Sequence, residues 1–157
     1  DLLGELDRKV AEFDKEIARR AREDEVVRRL MTIPGIGPIT ATAIAALAPP
    51  AESFAKGRDF AAWLGLTPRQ HSTGGKQKLG PISKRGDQYL RRILVVGACS
   101  VLRRARQQPE KYPWLTQLLA RRPFKVVAVA LANKMARVAW ALLAKGGTYQ
   151  APQLTAA

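Results

Sequence analysis

The sequence predicts an all-α fold, and three observations carry that expectation. Apolar residues recur at helical spacing in the long segments, proline and glycine punctuate the boundaries, and no segment alternates apolar with polar residues as a half-buried strand does. With 157 residues, 46% of them apolar, the chain is long enough for one core and a protruding helix.

Leu3, Leu6, Val10, Phe13 and Ile17 fall at spacings of 3, 4, 3 and 4, the seam of a coiled-coil or bundle helix. The seam frays beyond Ile17, in a charged run from Arg19 to Glu25. Either this helix dimerises or it packs on its own domain; fewer than three heptads do not decide. A glycine turn at Met31-Thr-Ile-Pro-Gly-Ile-Gly-Pro precedes an Ala-rich helix over about 39–47, with Pro38 suited to the first helical position and Pro49-Pro50 ending it. A short helix near 60–64 leads into a stretch rich in Gly, Pro and polar residues, which reads as an ordered loop. A long helix follows at about 87–106, with Asp87 as N-cap or first-turn acid. Residues 109–113 break the pattern and 114–120 resume it. The last helix covers about 123–143, with Val126, Val129, Ala130, Asn133, Ala136, Val138 and Trp140 near one side, and Gly146-Gly147 stops it. The expected organisation is a coiled-coil-like helix over 1–30, a helical domain over 31–148 and a tail over 149–157.

The formal net charge is +14, and it is unevenly placed. Residues 1–30 carry nine acids and eight bases, whereas the rest carries 19 bases against Glu52, Asp59, Asp87 and Glu110. A domain this basic attracts polyanions, of which nucleic acid is the commonest. Cys99, the single cysteine, sits in an apolar run; it excludes disulfides within the chain and suits a reducing compartment. The apolar stretch over 126–144 is interrupted by Lys134 and Arg137, so no membrane span is expected. No signal peptide is visible, and the chain opens inside a helical pattern without an initiator Met, as a piece of a longer protein does.

Two constellations point to phosphate. Ile33-Pro-Gly-Ile-Gly-Pro-Ile-Thr-Ala has the pattern of a helix-hairpin-helix turn. Gly35 and Gly37 lack Cβ, so the backbone can bring its N–H groups to the surface at the start of the next helix, where a phosphate is favoured. The competing explanation is a helix corner that uses glycine only for packing. The second constellation spans Arg69, Lys76, Lys78, Lys84, Arg85, Arg91 and Arg92, with Asp87 as its lone acid and Gly74, Gly75, Gly80, Pro81 and Gly86 between them. A cationic loop of this kind can wrap a phosphate chain and makes affinity fall with salt.

Ser72 lies in that loop between His71 and Thr73-Gly74-Gly75. A hydroxyl attacks a phosphodiester when a base takes its proton and the phosphate charge is neutralised. Taken alone, such a serine is more often a turn residue, and a single histidine is more often a surface residue. Four scattered acids cannot build a two-metal carboxylate centre, and one Cys with one His gives no zinc site. No cofactor is therefore expected in this chain.

Three ordered stretches, the Ile33 turn, Gly65-Leu-Thr-Pro-Arg-Gln-His-Ser-Thr-Gly-Gly-Lys and Ile82-Ser-Lys-Arg-Gly-Asp-Gln-Tyr-Leu-Arg-Arg, resemble the carboxy-terminal transposase domain of the insertion-sequence 110 family, in its 1111-type subgroup. The later Ala132-Asn-Lys-Met-Ala-Arg-Val-Ala-Trp-Ala fits the same subgroup, and the likeness covers roughly residues 25–148. The resemblance implies a two-part recombinase. Its amino-terminal RuvC-like domain carries four acids and a divalent metal, and its carboxy-terminal domain carries a serine that becomes joined to DNA. A structured RNA guides the choice of sites, and a coiled-coil helix aids assembly. By position the serine is Ser72. Arg69, Lys76, Lys84, Arg85 and Arg91 are then expected at the phosphate, with Gly35 and Gly37 on the DNA backbone.

Two functions follow as expectations. In the first, this is the serine-bearing, DNA-binding domain of a cytoplasmic, nucleoid-associated transposase, with DNA and a guide RNA as partners and a homo-oligomer formed through the first helix; without the acidic domain it binds but does not turn over. In the second, it is a non-catalytic nucleic-acid-binding and oligomerisation module. A structural RNA-binding module of translation suits the charge and leaves both glycine motifs unexplained.

Overall fold

Helix α1 (Leu2–Glu23) begins where the Asp1 carboxylate accepts a hydrogen bond from Leu3 N and ends where Asp24 leaves the helical region at φ −86°, ψ 119°. Asp24 then caps a second helix, α2 (Glu25–Leu30), by accepting from Val27 N at 3.0 Å. One N-cap residue thus divides what the sequence suggests is a single helix over 1–30. Every residue in 1–15 is exposed, whereas Ala21, Val27 and Leu30 are buried in the core. The amino-terminal turns protrude, and the base of the helix belongs to the domain.

The described residues are 1–71 and 73–151 of a computed structural model. After α2 come α3 (Pro38–Leu47), α4 (Gly57–Trp63), strands β1 (Pro68–Gln70) and β2 (Leu79–Ile82), then α5 (Gln88–Gln107), α6 (Pro113–Arg121) and α7 (Phe124–Lys145). The architecture is all-α, as expected, with one departure: the stretch read as an ordered loop forms an antiparallel hairpin. Its strands pair Pro68 with Ile82 and Gln70 with Leu79, with an irregularity between. No residue of β1 is buried and β2 is at most half-buried, so no apolar alternation was available to betray them.

The boundaries follow their local chemistry. Pro38 occupies the first turn of α3, Asp87 caps α5 by accepting from Leu90 N at 2.7 Å, and Gly146 ends α7 at φ 77°. Helices α5 and α7 pack along each other, and α4 lies against α7. Leu90, Leu94, Ala98 and Leu102 of α5 meet the α7 stripe of Val127, Ala128, Leu131, Ala132, Met135, Ala136, Ala139 and Leu142. Truncating one such leucine to alanine costs about 2–5 kcal/mol. This stripe corrects the expected inner side of α7: Val126 and Ala130 are exposed, and only Ala136 of the expected set is fully buried. By length and apolarity alone α7 matches a membrane-crossing helix, but its buried stripe is covered by the domain itself.

Candidate nucleic-acid interface

The turn between α2 and α3 is built by Thr32 N to Arg29 O, Ile33 N to Leu30 O and Ile36 N to Ile33 O, with Ile33 and Ile36 buried beneath it. Gly35 adopts φ +88°, and a Cβ there would lie 2.9 Å from Gly97 O and from Val101 Cγ2. A Cβ on Gly97 would collide in turn with Gly35 O. These glycines clamp the turn onto α5, so Gly35 serves packing. Gly37 differs: it has an ordinary φ of −94°, and no atom lies within 4 Å of its added Cβ. It caps α3 without any side-chain hydrogen bond, leaving first-turn N–H groups without a side-chain acceptor.

The basic hairpin is held at its base. Leu64, Gly65 and Leu66 are buried, and their three consecutive carbonyls would be costly to leave unsatisfied. Arg91 donates to Leu64 O at 3.0 Å from α5, Lys84 N to Gly65 O at 3.1 Å, and Asn133 Nδ2 to Leu66 O at 3.1 Å from α7. Asn133 is the polar residue on an otherwise apolar helix side, the sequence signal from which this anchor was readable. Arg91 is half-buried in this brace, so one of its terminal nitrogens serves the fold rather than facing outward.

Beyond the anchor the strands reach outward. His71 N donates to Lys78 O at 2.9 Å, and the imidazole edge lies against Gly80. Gly74 and Gly75 both have positive φ, 62° and 79°, between the bridged residues Thr73 and Lys76. Two successive positive φ values are what a type I′ hairpin turn requires. Arg69, Lys76, Lys78, Lys84, Arg85 and Arg92 are all exposed around this hairpin. Arg69 touches Ser83 O at 3.2 Å. Among the described residues, every ion pair lies between Glu5 and Arg29, so none of these six cations is matched by a carboxylate. Ser72 lies outside the described residues; its neighbours His71 and Thr73 are exposed.

Lys84 is the one non-glycine among the described residues with positive φ, at 54°. Ser83 Oγ accepts from Arg85 N at 3.4 Å beside it. Sequence reasoning assigned Lys84 for its charge and had no signal for its conformation. Among the described residues no three His, Cys, Asp or Glu side chains converge.

Comparison with known proteins converges on one group. The family model described as "Transposase IS116/IS110/IS902 family" matches residues 27–113. A "Probable family 20 transposase" of Pseudomonas aeruginosa is 52% identical over 151 residues, covering 96% of this chain and 45% of that protein. A "Putative transposase y4pF/y4sB" of Sinorhizobium fredii is 47% identical, covering 93% and 38%. The transposase for insertion sequence element IS1111A of Coxiella burnetii is 39% identical, covering 92% and 40%. The chain thus spans less than half the length of these relatives.

Proposed function

Since this chain belongs to the IS116/IS110/IS902 family of transposases, we propose that it is the DNA-gripping, hydroxyl-bearing part of a strand-exchange enzyme. The observation that carries the reading is the set of six exposed, carboxylate-free cations arranged around the hairpin that bears position 72. A phosphodiester drawn there meets Arg69, Lys76, Lys78, Lys84, Arg85 and Arg92, which neutralise its charge. Ser72 Oγ bonds to phosphorus, the bond from phosphorus to one sugar oxygen breaks, and that oxygen leaves protonated. The result is a serine–DNA diester that conserves the energy for rejoining. His71 is the adjacent base in sequence. The glycine turn at Gly35–Gly37 grips a second stretch of backbone, helix-hairpin-helix fashion, through the open N-terminus of α3.

The rest of the machinery belongs to the longer protein. Divalent-metal chemistry sits on an acidic domain outside this chain, and a guide RNA selects the sites. The exposed seam of α1, with Leu3 at 70% and Phe13 at 68% of full exposure, joins a second copy. Such a protein works in the cytoplasm, at the nucleoid.

The test is excision by the full-length transposase. Ser72→Ala abolishes excision and the trapped DNA–serine adduct while DNA binding persists, and Thr73→Ala retains both. Arg85→Glu with Arg92→Glu abolishes binding; these positions are preferred over Arg91, whose loss disturbs the hairpin base. Wild-type excision by Ser72→Ala would instead leave this chain as a binding and assembly module, the reading that the exposed α1 seam favours.

A further inference from the structure

A second feature is lined by no residue of the hairpin and borders the glycine turn. Between α5, α6, α7 and the segment after α7 is a cavity of about 450 Å³. That volume is within the roughly 300–1,000 Å³ of sites that enclose small organic groups. Three aromatic residues, Tyr112, Trp114 and Tyr149, line it together with an aliphatic floor from α7. Among the described residues its charged lining is Lys111 and Lys134, with no acid. Trp114 is 44% exposed although large and apolar. Lys134 Nζ stands 4.4 Å from its ring centroid, an ammonium whose partner is a π-face rather than a carboxylate. Ile33 and Pro34 of the glycine turn form one wall. Tyr149 is tied to that same turn, because its N donates to Thr32 Oγ1 at 2.8 Å.

We propose that this cavity receives one unpaired nucleobase, stacked among Tyr112, Trp114 and Tyr149, from the strand whose phosphates lie at the glycine turn. The inference rests on the nucleic-acid reading above and adds a site to it. A planar, π-faced group with a polar edge and an attached anion matches each property of the cavity. The aromatic and aliphatic walls take the flat faces. The two lysines meet the flanking phosphates or the base's carbonyl edge. The wall of Ile33 and Pro34 belongs to the same turn that leads into the open α3 N-terminus. Stacking of this kind tolerates any base, since all four present a π-face. The cavity therefore selects for unpaired or extruded nucleotides rather than for sequence.

The experiment uses the 157-residue chain and short single strands carrying 2-aminopurine at one position, in DNA and RNA versions, beside a DNA strand of abasic sugars with the same phosphates. Insertion quenches the 2-aminopurine emission, and the sugar that supports stronger quenching identifies the strand's source. The chain binds base-bearing DNA about tenfold more tightly than the abasic strand, the loss of one stacked base. Trp114→Ala removes both the quenching and the tenfold preference while leaving the salt dependence unchanged. Because the abasic comparison uses the wild-type chain, a folding defect in the variant does not confuse the result. Equal affinity for abasic and base-bearing strands overturns the cavity's role and leaves the basic hairpin's reading standing. Absence of binding to every strand overturns both. A tryptophan emission change that is lost in Trp114→Ala, follows protein concentration and ignores added strands assigns the cavity to a second copy and likewise overturns the proposal.

Discussion

Lys84 shows how a single residue separates stability from function. Its φ of 54° is the left-handed region, which costs a non-glycine residue about 1–2 kcal/mol. A fold selected for stability alone would place glycine there, as it does at Gly74, Gly75 and Gly86 nearby. The charge is kept instead, at the exposed edge of the hairpin base, where Lys84 N also satisfies Gly65 O. Strain retained in this way points to a role for the side chain. Lys84→Gly is therefore expected to keep or raise stability, by up to about 1 kcal/mol after the added freedom of the unfolded chain is deducted, while weakening DNA affinity. Urea midpoints and a binding isotherm read the two effects separately. A variant that loses stability and keeps its affinity would make Lys84 a structural residue. None of this was legible in the sequence, because a lysine in a charge-rich segment gives no sign of its backbone angle. Gly35 was legible as a turn residue; its contact with Gly97, 62 positions along the chain, was not.

Among the elements, those with a chemical boundary marker were readable and those defined by long-range packing were not. Pro38, Asp87 and Gly146 mark helix ends in any context, and the structure places those ends within two residues of expectation. The hairpin escaped because both faces of β1 meet solvent, leaving turn chemistry at Gly74-Gly75 as its only local signal. The face of α7 was misjudged because alanine and valine occur all round the helix, so periodicity could not choose a side. Helix α1 offers a test at this scale. Glu16 is hydrogen-bonded by Arg19 and by Arg20, which hold its carboxyl at about 2 rather than 4.5. A carboxylate lowered in the folded state stabilises fully above 4.5, and that contribution fades as pH falls toward 2. Circular dichroism is expected to show α1 losing helicity over this acid window, with Glu16→Gln already lacking the contribution at neutral pH. Identical acid profiles for the two proteins would show that these pairs contribute nothing to the helix, the common result for exposed ion pairs.

Across the whole molecule, charge is partitioned by structure as well as by sequence. Every ion pair among the described residues lies in α1 and α2, where acids and bases nearly balance; the domain beyond carries the uncompensated cations. Two modes of polyanion binding are compatible with the total charge. In diffuse binding, cations over the whole surface contribute alike. In localised binding, the six exposed residues around the hairpin release most of the counterions. The modes differ in a measurable slope. If the six each neutralise one phosphate of duplex DNA, the logarithm of the association constant falls against the logarithm of salt with a slope of about −5. Lys78→Ala then makes the slope shallower by about 0.9, because its exposed cation lies in the hairpin. Lys145→Ala, at the end of α7 and also exposed, leaves the slope unchanged. Titrations of duplex DNA at several salt concentrations decide between the modes. Equal changes for Lys78 and Lys145 would establish diffuse binding, and the hairpin would then have no special claim to hold a strand at position 72. A change confined to Lys78 would tie affinity to the same element that bears the proposed nucleophile.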